Sequence, residues 1–278
     1  MYIIKASGQK ELFSHEKLVS TLTRVGMPPD RATEIVDKVE QSLSRKPTSQ
    51  EVIKLTLAEL QKTNAPAAAR YNLKRAIMNL GPTGFPFEQY ISRLLETYGY
   101  TIHTNVQAKG FCIHHELDLV AKKDNRHIMI ECKYHNSPGM RSDVKVALYT
   151  YARFLDIKKA WEHETGHTDE FHEVWLITNT KCTNDAIQYA NCVGLKILSW
   201  RYPHQNSLEQ LIDNKKLYPV TILLNGNGMI FYKLITAGYL LASDIANTAL
   251  EDISKKTGLK TRLLSPLHQE AIMLNSGI

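Results

Sequence analysis

Two apolar-rich runs near the middle of the chain, residues 113–121 (IHHELDLVA) and 127–133 (HIMIECK), flank the polar cluster Lys122 to Arg126. Runs of this length about a polar turn predict a β-hairpin. A turn centred on Asp124 and Asn125 sets Asp118 opposite Glu131 and Glu116 opposite Lys133. Side chains two apart on a strand share a face. Glu116, Asp118, Glu131 and Lys133 are therefore expected on one face, and Ile128, Ile130 and Cys132 on the other. Directly opposed like charges destabilise a plain sheet. A hard divalent cation such as Mg²⁺ between the carboxylates removes that cost.

The flanking periodicities are mostly helical. Tyr2 to Lys5 and Lys10 to Phe13 flank Ala6-Ser7-Gly8-Gln9, a short hairpin with Gly8 in its turn. Four helices follow. Ser14 caps one carrying Leu18, Leu22 and Val25, and Pro29 opens one carrying Ile35 and Val39. Thr48 or Ser49 caps a third with Val52, Leu55 and Leu60, and Pro66 to Leu80 forms a fourth. Gly81 to Pro86, GPTGFP, is a boundary by composition. Beyond it Phe87, Tyr90, Ile91, Leu94, Leu95 and Tyr98 repeat at helical spacing, with Glu88 beside the stripe. A strand from Tyr100 to Val106 leads into the hairpin. After it come a Pro138-Gly139 loop, a helix from Val144 to Glu162, a strand from Val174 to Thr178, a helix over 184–192 and a strand from Leu195 to Trp200. This order predicts a mixed sheet covered by helices. From Ser207 on the pattern is helical again. The expected fold class is multidomain, α and α/β.

Composition narrows the function classes. The chain has 278 residues, 43% hydrophobic, enough for two or three real cores. It holds no apolar run long enough to span a membrane and no leader-like N-terminus. Its four cysteines lack CxxC spacing and read as reduced thiols of a cytoplasmic protein. Net charge is +6, but residues 1–84 carry the excess, with 13 Lys and Arg against 8 Asp and Glu. Bulk charge therefore does not mark the central region for DNA, and any contact there rests on local patches.

Asp118 on one strand followed by Glu131-Cys132-Lys133 on the next resembles the PD-(D/E)xK nuclease signature, and its surroundings resemble the Mrr-like restriction endonuclease branch. The resemblance implies that Asp118, Glu131 and the carbonyl of Cys132 hold Mg²⁺ or Mn²⁺ and that Lys133 orients the attacking water. It also implies that Glu88, on the first helix, helps hold metal or water, and it makes Lys145 or Tyr149 on the later helix candidates for the polar positions found there. Residues 1–82, with IIKASG, ELFSHEKL and AARYNLKRAI, resemble the ATP-cone, a nucleotide-sensing domain. Lys5, Gly8 and Lys17 fall at its triphosphate and turn positions, which implies ATP or dATP as effector. Ala6-Ser7 departs from the usual Arg-Asp there. The stretches KLITAGYLLASDI and DISKKTGLKTRLLSPLHQEAIML look like two degenerate helix-hairpin-helix units, with Lys255, Lys256, Lys260 and Arg262 as a basic cluster.

Other patterns are weaker. Thr178 to Lys181, TNTK, a polar loop at a strand end, is a candidate phosphate contact, although such a loop is more often only a connection. His163-Glu164-Thr165-Gly166-His167 fits HExxH formally, yet Gly166 and the polar run after it point to a helix end rather than a zinc site. His114-His115 reads as strand filler. The expected domains are an ATP-cone-like domain over 1–82, a restriction-endonuclease-like domain over 85–204 and a helical, helix-hairpin-helix-like segment over 205–278. The expected function is a metal-dependent DNA endonuclease of restriction or defence type, modulated by adenine nucleotide. Its partners would be DNA and nucleotide, without a membrane, and a homo-oligomer is left open. The alternative is a nucleotide-responsive DNA-binding regulator without cleavage.

Overall fold

A computed structural model describes residues 1–5, 8–163 and 171–276 and divides the protein into two units. The first unit begins with an antiparallel hairpin, β1 (Tyr2–Ile4) and β2 (Lys10–Leu12), with Gly8 at φ +80° in its turn. Four helices follow, α1 (His15–Arg24), α2 (Pro29–Ser42), α3 (Ser49–Thr63) and α4 (Ala65–Met78). The expected caps form. The Ser14 side chain accepts from the Lys17 amide at 3.2 Å, and Thr48 accepts from the Glu51 amide at 3.1 Å. Leu22, Ile35, Val36, Val39 and Leu60 build the core.

The second unit opens with α5 (Phe85–Thr97). A five-stranded sheet runs in the order β3 (Thr101–Lys109), β4 (His114–Lys123), β5 (Arg126–Lys133), β7 (Phe171–Thr178) and β9 (Lys196–Leu198). Between them lie β6 (Arg141–Ser142), α6 (Val144–His163), β8 (Lys181–Cys182) and α7 (Asn184–Val193). The β4–β5 register is the predicted one, from Leu119 opposite Ile130 to Lys123 opposite Arg126. Asp124 and Asn125 both take positive φ, 50° and 58°, as a two-residue type I′ turn requires. Strands β5, β7 and β9 run parallel, so β5 is central and buried along nearly its whole length. Leu117, Met129, Phe154, Ile157, Val174 and Leu176 form the core around α6.

Two more helices, α8 (Leu208–Asn214) and α9 (Gly228–Thr236), belong to this second unit. The Tyr90 and Tyr98 hydroxyls donate to the carbonyls of Leu217 and Leu211, at 2.6 and 2.8 Å, and tie α8 and the segment after it to α5.

The segment from 205 onward is thus shared between units. Residues 222–227 and α10 (Ala242–Ala246), α11 (Leu250–Thr257) and α12 (Thr261–Ser276) belong to the first unit. Glu270 of α12 supplies a reason, because its carboxylate accepts the amides of Leu224 and Asn225 at 2.7 and 3.1 Å while Leu224 packs on the first unit's core. The first helix-hairpin-helix expectation, around Gly238, is divided, since α9 and α10 fall in different units. The second, α11 and α12 about a left-handed Gly258, is a packed helix pair. Glu164 to Glu170, including most of the HExxH pattern, and Ala6-Ser7 lie outside the described residues.

Candidate active site

Strand β5 carries the centre of the site. Glu131 is 7% exposed, Asp118 and Lys133 are half-buried, and Glu116 is exposed. Asp118 and Glu131 do not sit as a closed ladder pair. The ladder ends at Leu119 and Ile130, and the Asp118 carboxylate instead accepts the Cys132 amide at 2.7 Å. That bond pins Asp118 beside the Glu131-Cys132-Lys133 strand end and leaves its second oxygen free of it.

Helix α6 supplies what the hairpin alone lacks. The Tyr149 hydroxyl donates to Glu131 Oε1 at 2.5 Å, and Arg153 donates to Glu131 Oε2 at 2.6 Å. The same guanidinium reaches the Glu116 carbonyl. Arg153 is not evident from the strand motif. Its signal is helical: Lys145, Tyr149 and Arg153 recur every four residues, one face of a helix. Lys145 itself is exposed and stands outside these bonds.

Glu88 approaches from α5. Tyr134, the residue after Lys133, fixes that helix. Its hydroxyl donates to the Met78 carbonyl at 2.6 Å, and its ring lies 5.5 Å from that of Phe87. Burial raises the Glu88 pKa from 4.5 to about 7, and the charges of Asp118, Glu131 and Glu116 add to the rise. Burial also raises Asp118, against the Cys132 amide and Arg153, which lower it. Glu131 is raised by burial and by Asp118, against Tyr149, Arg153 and Lys133. The mutual perturbation places Glu88, Glu116, Asp118 and Glu131 in one electrostatic cluster.

This donor set fits a hard divalent cation. Four carboxylates share a site with two cations, Lys133 and Arg153, so when all are ionised an excess of negative charge remains. Each carboxylate oxygen has a second lone pair beyond the hydrogen bond it accepts. Among the described residues no three His, Cys, Asp or Glu side chains converge closely enough to hold a metal ion by themselves. An open arrangement is the one Mg²⁺ takes, leaving positions for water and phosphate oxygens.

Behind the strand end a buried polar network sets its exit. Asn179 accepts the His135 amide at 2.9 Å and donates to the His135 carbonyl at 2.7 Å. His135 meets Ser142, which donates to Thr178 at 3.2 Å. Thr178, Asn179 and Thr180 are all buried and only Lys181 is exposed, which favours the connection over the phosphate contact among the two readings of this loop. His115 pairs with Asp156 at 2.8 Å, and Asp156 also accepts the Cys112 amide. That bonding, with His115 first, holds the Asp156 carboxyl down to about 2.

In the first unit, Lys5 and Lys17 converge on Glu11, at 2.9 and 3.3 Å. The Gly8 amide closes the hairpin turn onto the Lys5 carbonyl at 2.9 Å. Both lysines, predicted from separate elements, therefore serve one exposed spot beside the turn.

Comparison with known proteins agrees with this division. The ATP cone domain family matches residues 1–77, and a restriction endonuclease family of Mrr type matches residues 82–200. An uncharacterized protein of Archaeoglobus fulgidus is 38% identical over 181 residues, which cover 65% of this chain and 97% of that protein. The transcriptional repressor NrdR of a Synechococcus species is 36% identical over 77 residues, 25% of this chain and 49% of that protein. A solved structure of a protein of unknown function is 35% identical with a TM-score of 0.59, covering 70% of this chain and all of that one. Among the described residues no helix is long and apolar enough to cross a membrane. The protein carries an N-terminal ATP-cone domain followed by a restriction endonuclease domain of Mrr type.

Proposed function

We propose that the protein is a metal-dependent DNA endonuclease whose activity is modulated by ATP or dATP bound at its N-terminal domain. The observation that carries this reading is the Asp118, Glu131 and Lys133 constellation, with an excess of carboxylates that a folded scaffold has no reason to assemble. Asp118, Glu131 and the Cys132 carbonyl would hold a divalent cation, joined by Glu88 when it is ionised. Such an ion, when bound, supplies Lewis acidity and offsets phosphoryl charge. The protein's own groups do the rest. Tyr149 and Arg153 fix both oxygens of Glu131, Cys132 fixes Asp118, and Lys133 donates to the attacking water and stabilises charge on the scissile phosphate.

At the other end, Lys5 and Lys17 exchange Glu11 for a triphosphate, which brings more charge to the same two ammonium groups. Nucleotide then biases activity only by its difference in affinity between two arrangements of the protein.

Plasmid cleavage tests the reading, using supercoiled and linear DNA, unmodified and methylated, with Mg²⁺ or EDTA and with or without ATP and dATP. Glu131→Gln is the better control than Glu131→Ala, because it retains an acceptor for Tyr149 and avoids an unfilled space around Arg153. Metal-dependent cutting abolished in Glu131→Gln and Lys133→Ala is the expected result. DNA binding without cutting on every substrate would replace it with a nucleotide-responsive regulator.

A further inference from the structure

A cleft of about 550 Å³ runs across the sheet of the second unit, from Lys123 at the end of β4 past Trp175 of β7 to residues 196–198 of β9. That volume is within the range of small-molecule sites, roughly 300–1,000 Å³. Four aromatic side chains, Tyr98, Tyr100, Trp175 and Tyr202, line it together with Lys123 and Lys196. The cleft is separate from the carboxylate cluster: Lys123 stands five positions along β4 from Asp118, roughly 16 Å at strand rise, and Trp175 registers with Ile130, on the sheet face opposite Glu131.

The rings are held in place. Tyr100 and Trp175 meet edge to face with centroids 5.9 Å apart, and the Tyr202 hydroxyl donates to Asn191 at 3.1 Å. Lys123 lies 4.9 Å from the Tyr100 ring centre and Lys196 lies 5.7 Å from that of Trp175. Lys123 also donates to the Tyr98 carbonyl at 2.9 Å. Lys196 shares Glu173 with Arg126, at 2.6 and 2.7 Å, and Lys215 stands over Tyr98. Asp124 is the other carboxylate felt by Tyr100. An aromatic lining with two lysines beside it suits a flat ring that carries an anion.

We infer that this cleft binds a nucleotide, with the base among Tyr98, Tyr100, Trp175 and Tyr202 and the phosphate at Lys196 and Lys123. Aromatic side chains stack any base, because every base presents a π-face. A free mononucleotide and an unpaired base of a nucleic acid strand share this chemistry. The inference does not depend on cleavage, since it is read by binding alone.

Calorimetric titration of the full-length protein with Lys5→Ala and Lys17→Ala, in EDTA, isolates this cleft from the N-terminal site. The probes are thymidine 5′-monophosphate, thymidine and a short oligothymidylate. Lys196→Gln should weaken the nucleotide about fivefold and leave the nucleoside unchanged, as expected for one exposed charge contact. Tyr202→Leu should weaken both about tenfold or more through lost stacking. Circular dichroism and melting verify the fold, and the exposed Lys196 substitution keeps the test decisive if Tyr202→Leu unfolds. Mononucleotide binding that responds to Lys196→Gln identifies a free ligand, and binding of the oligonucleotide alone with the same response identifies an unpaired base. No binding of any probe at millimolar concentration, or binding indifferent to Lys196→Gln, overturns the assignment.

Discussion

Glu88→Gln should change stability in a pH-dependent way whose sign follows from its surroundings. The folded pKa is about 7 against an ordinary 4.5, so between these values the folded protein holds a proton that the unfolded one has lost. Stability therefore falls as pH rises through that window, and the loss is complete above about pH 8. The raised value corresponds to about 3.4 kcal/mol of ionisation cost. Glu88 is only partly buried, and solvent screening reduces this to about 1–2 kcal/mol. Glutamine keeps the shape and cannot ionise. In EDTA the variant should gain about 1–2 kcal/mol on wild type between pH 5 and pH 8.5, with each kcal/mol moving the melting temperature by roughly 2–4 °C. Adding Mg²⁺ at pH 8.5 should narrow the gap, because an ion held by ionised Glu88 stabilises wild type more. A difference from wild type that is constant with pH, or one that shrinks as pH rises, would refute the electrostatic account of the site.

Three further outcomes follow from the same geometry. Arg153→Met should lower stability by about 3 kcal/mol in urea titrations, since it leaves Glu131 buried without its cation, and Mg²⁺ should restore part of the loss; an unchanged midpoint would show that the pair is not structural. Lys17→Ala should weaken ATP binding roughly tenfold in equilibrium dialysis, whereas Glu11→Gln should strengthen it by removing the competing carboxylate, and an unaltered affinity in both would move the nucleotide site elsewhere. Asp156→Asn should speed amide hydrogen exchange at Cys112 and Ile113, whose N–H groups its carboxylate accepts, while protection unchanged at both would mean that the backbone alone holds that loop.

Local signals carry the sequence reading furthest. The hairpin register follows from a two-residue turn that demands left-handed Asp124 and Asn125, and the four helices of the first unit follow from caps and a steady apolar spacing. Asp118, Glu131 and Lys133 are legible because a strand places alternate residues on one face. Arg153 is legible only as sharing a helix face with Tyr149, because its bond to Glu131 depends on how α6 lies across β5, a tertiary relation. Thr178 to Thr180 leave two readings open for the complementary reason: polar residues can serve surface or interior, and only the network that satisfies them, here His135 and Ser142, decides for the interior.

The return of the C-terminal helices to the first unit changes how the nucleotide effect must be tested. Deleting residues 1–77 to obtain an isolated nuclease would leave residues 222–227 and α10 to α12 without the core they belong to. Leu264, Leu267, Ala271 and Leu274 of α12 are buried, and α12 borders a cavity of about 250 Å³ also lined by Ala65, Ala68 and Ala69 of α4. The truncated protein should be cut by protease within 242–276 and should expose apolar surface there, whereas the full-length protein should resist. Persistent protection of α12 after the deletion would show that α10 to α12 hold together alone. Loss of cleavage in such a truncation would then reflect stripped helices as readily as a missing effector, so Lys5 and Lys17 substitutions, which leave both units intact, are the ones that isolate regulation by nucleotide.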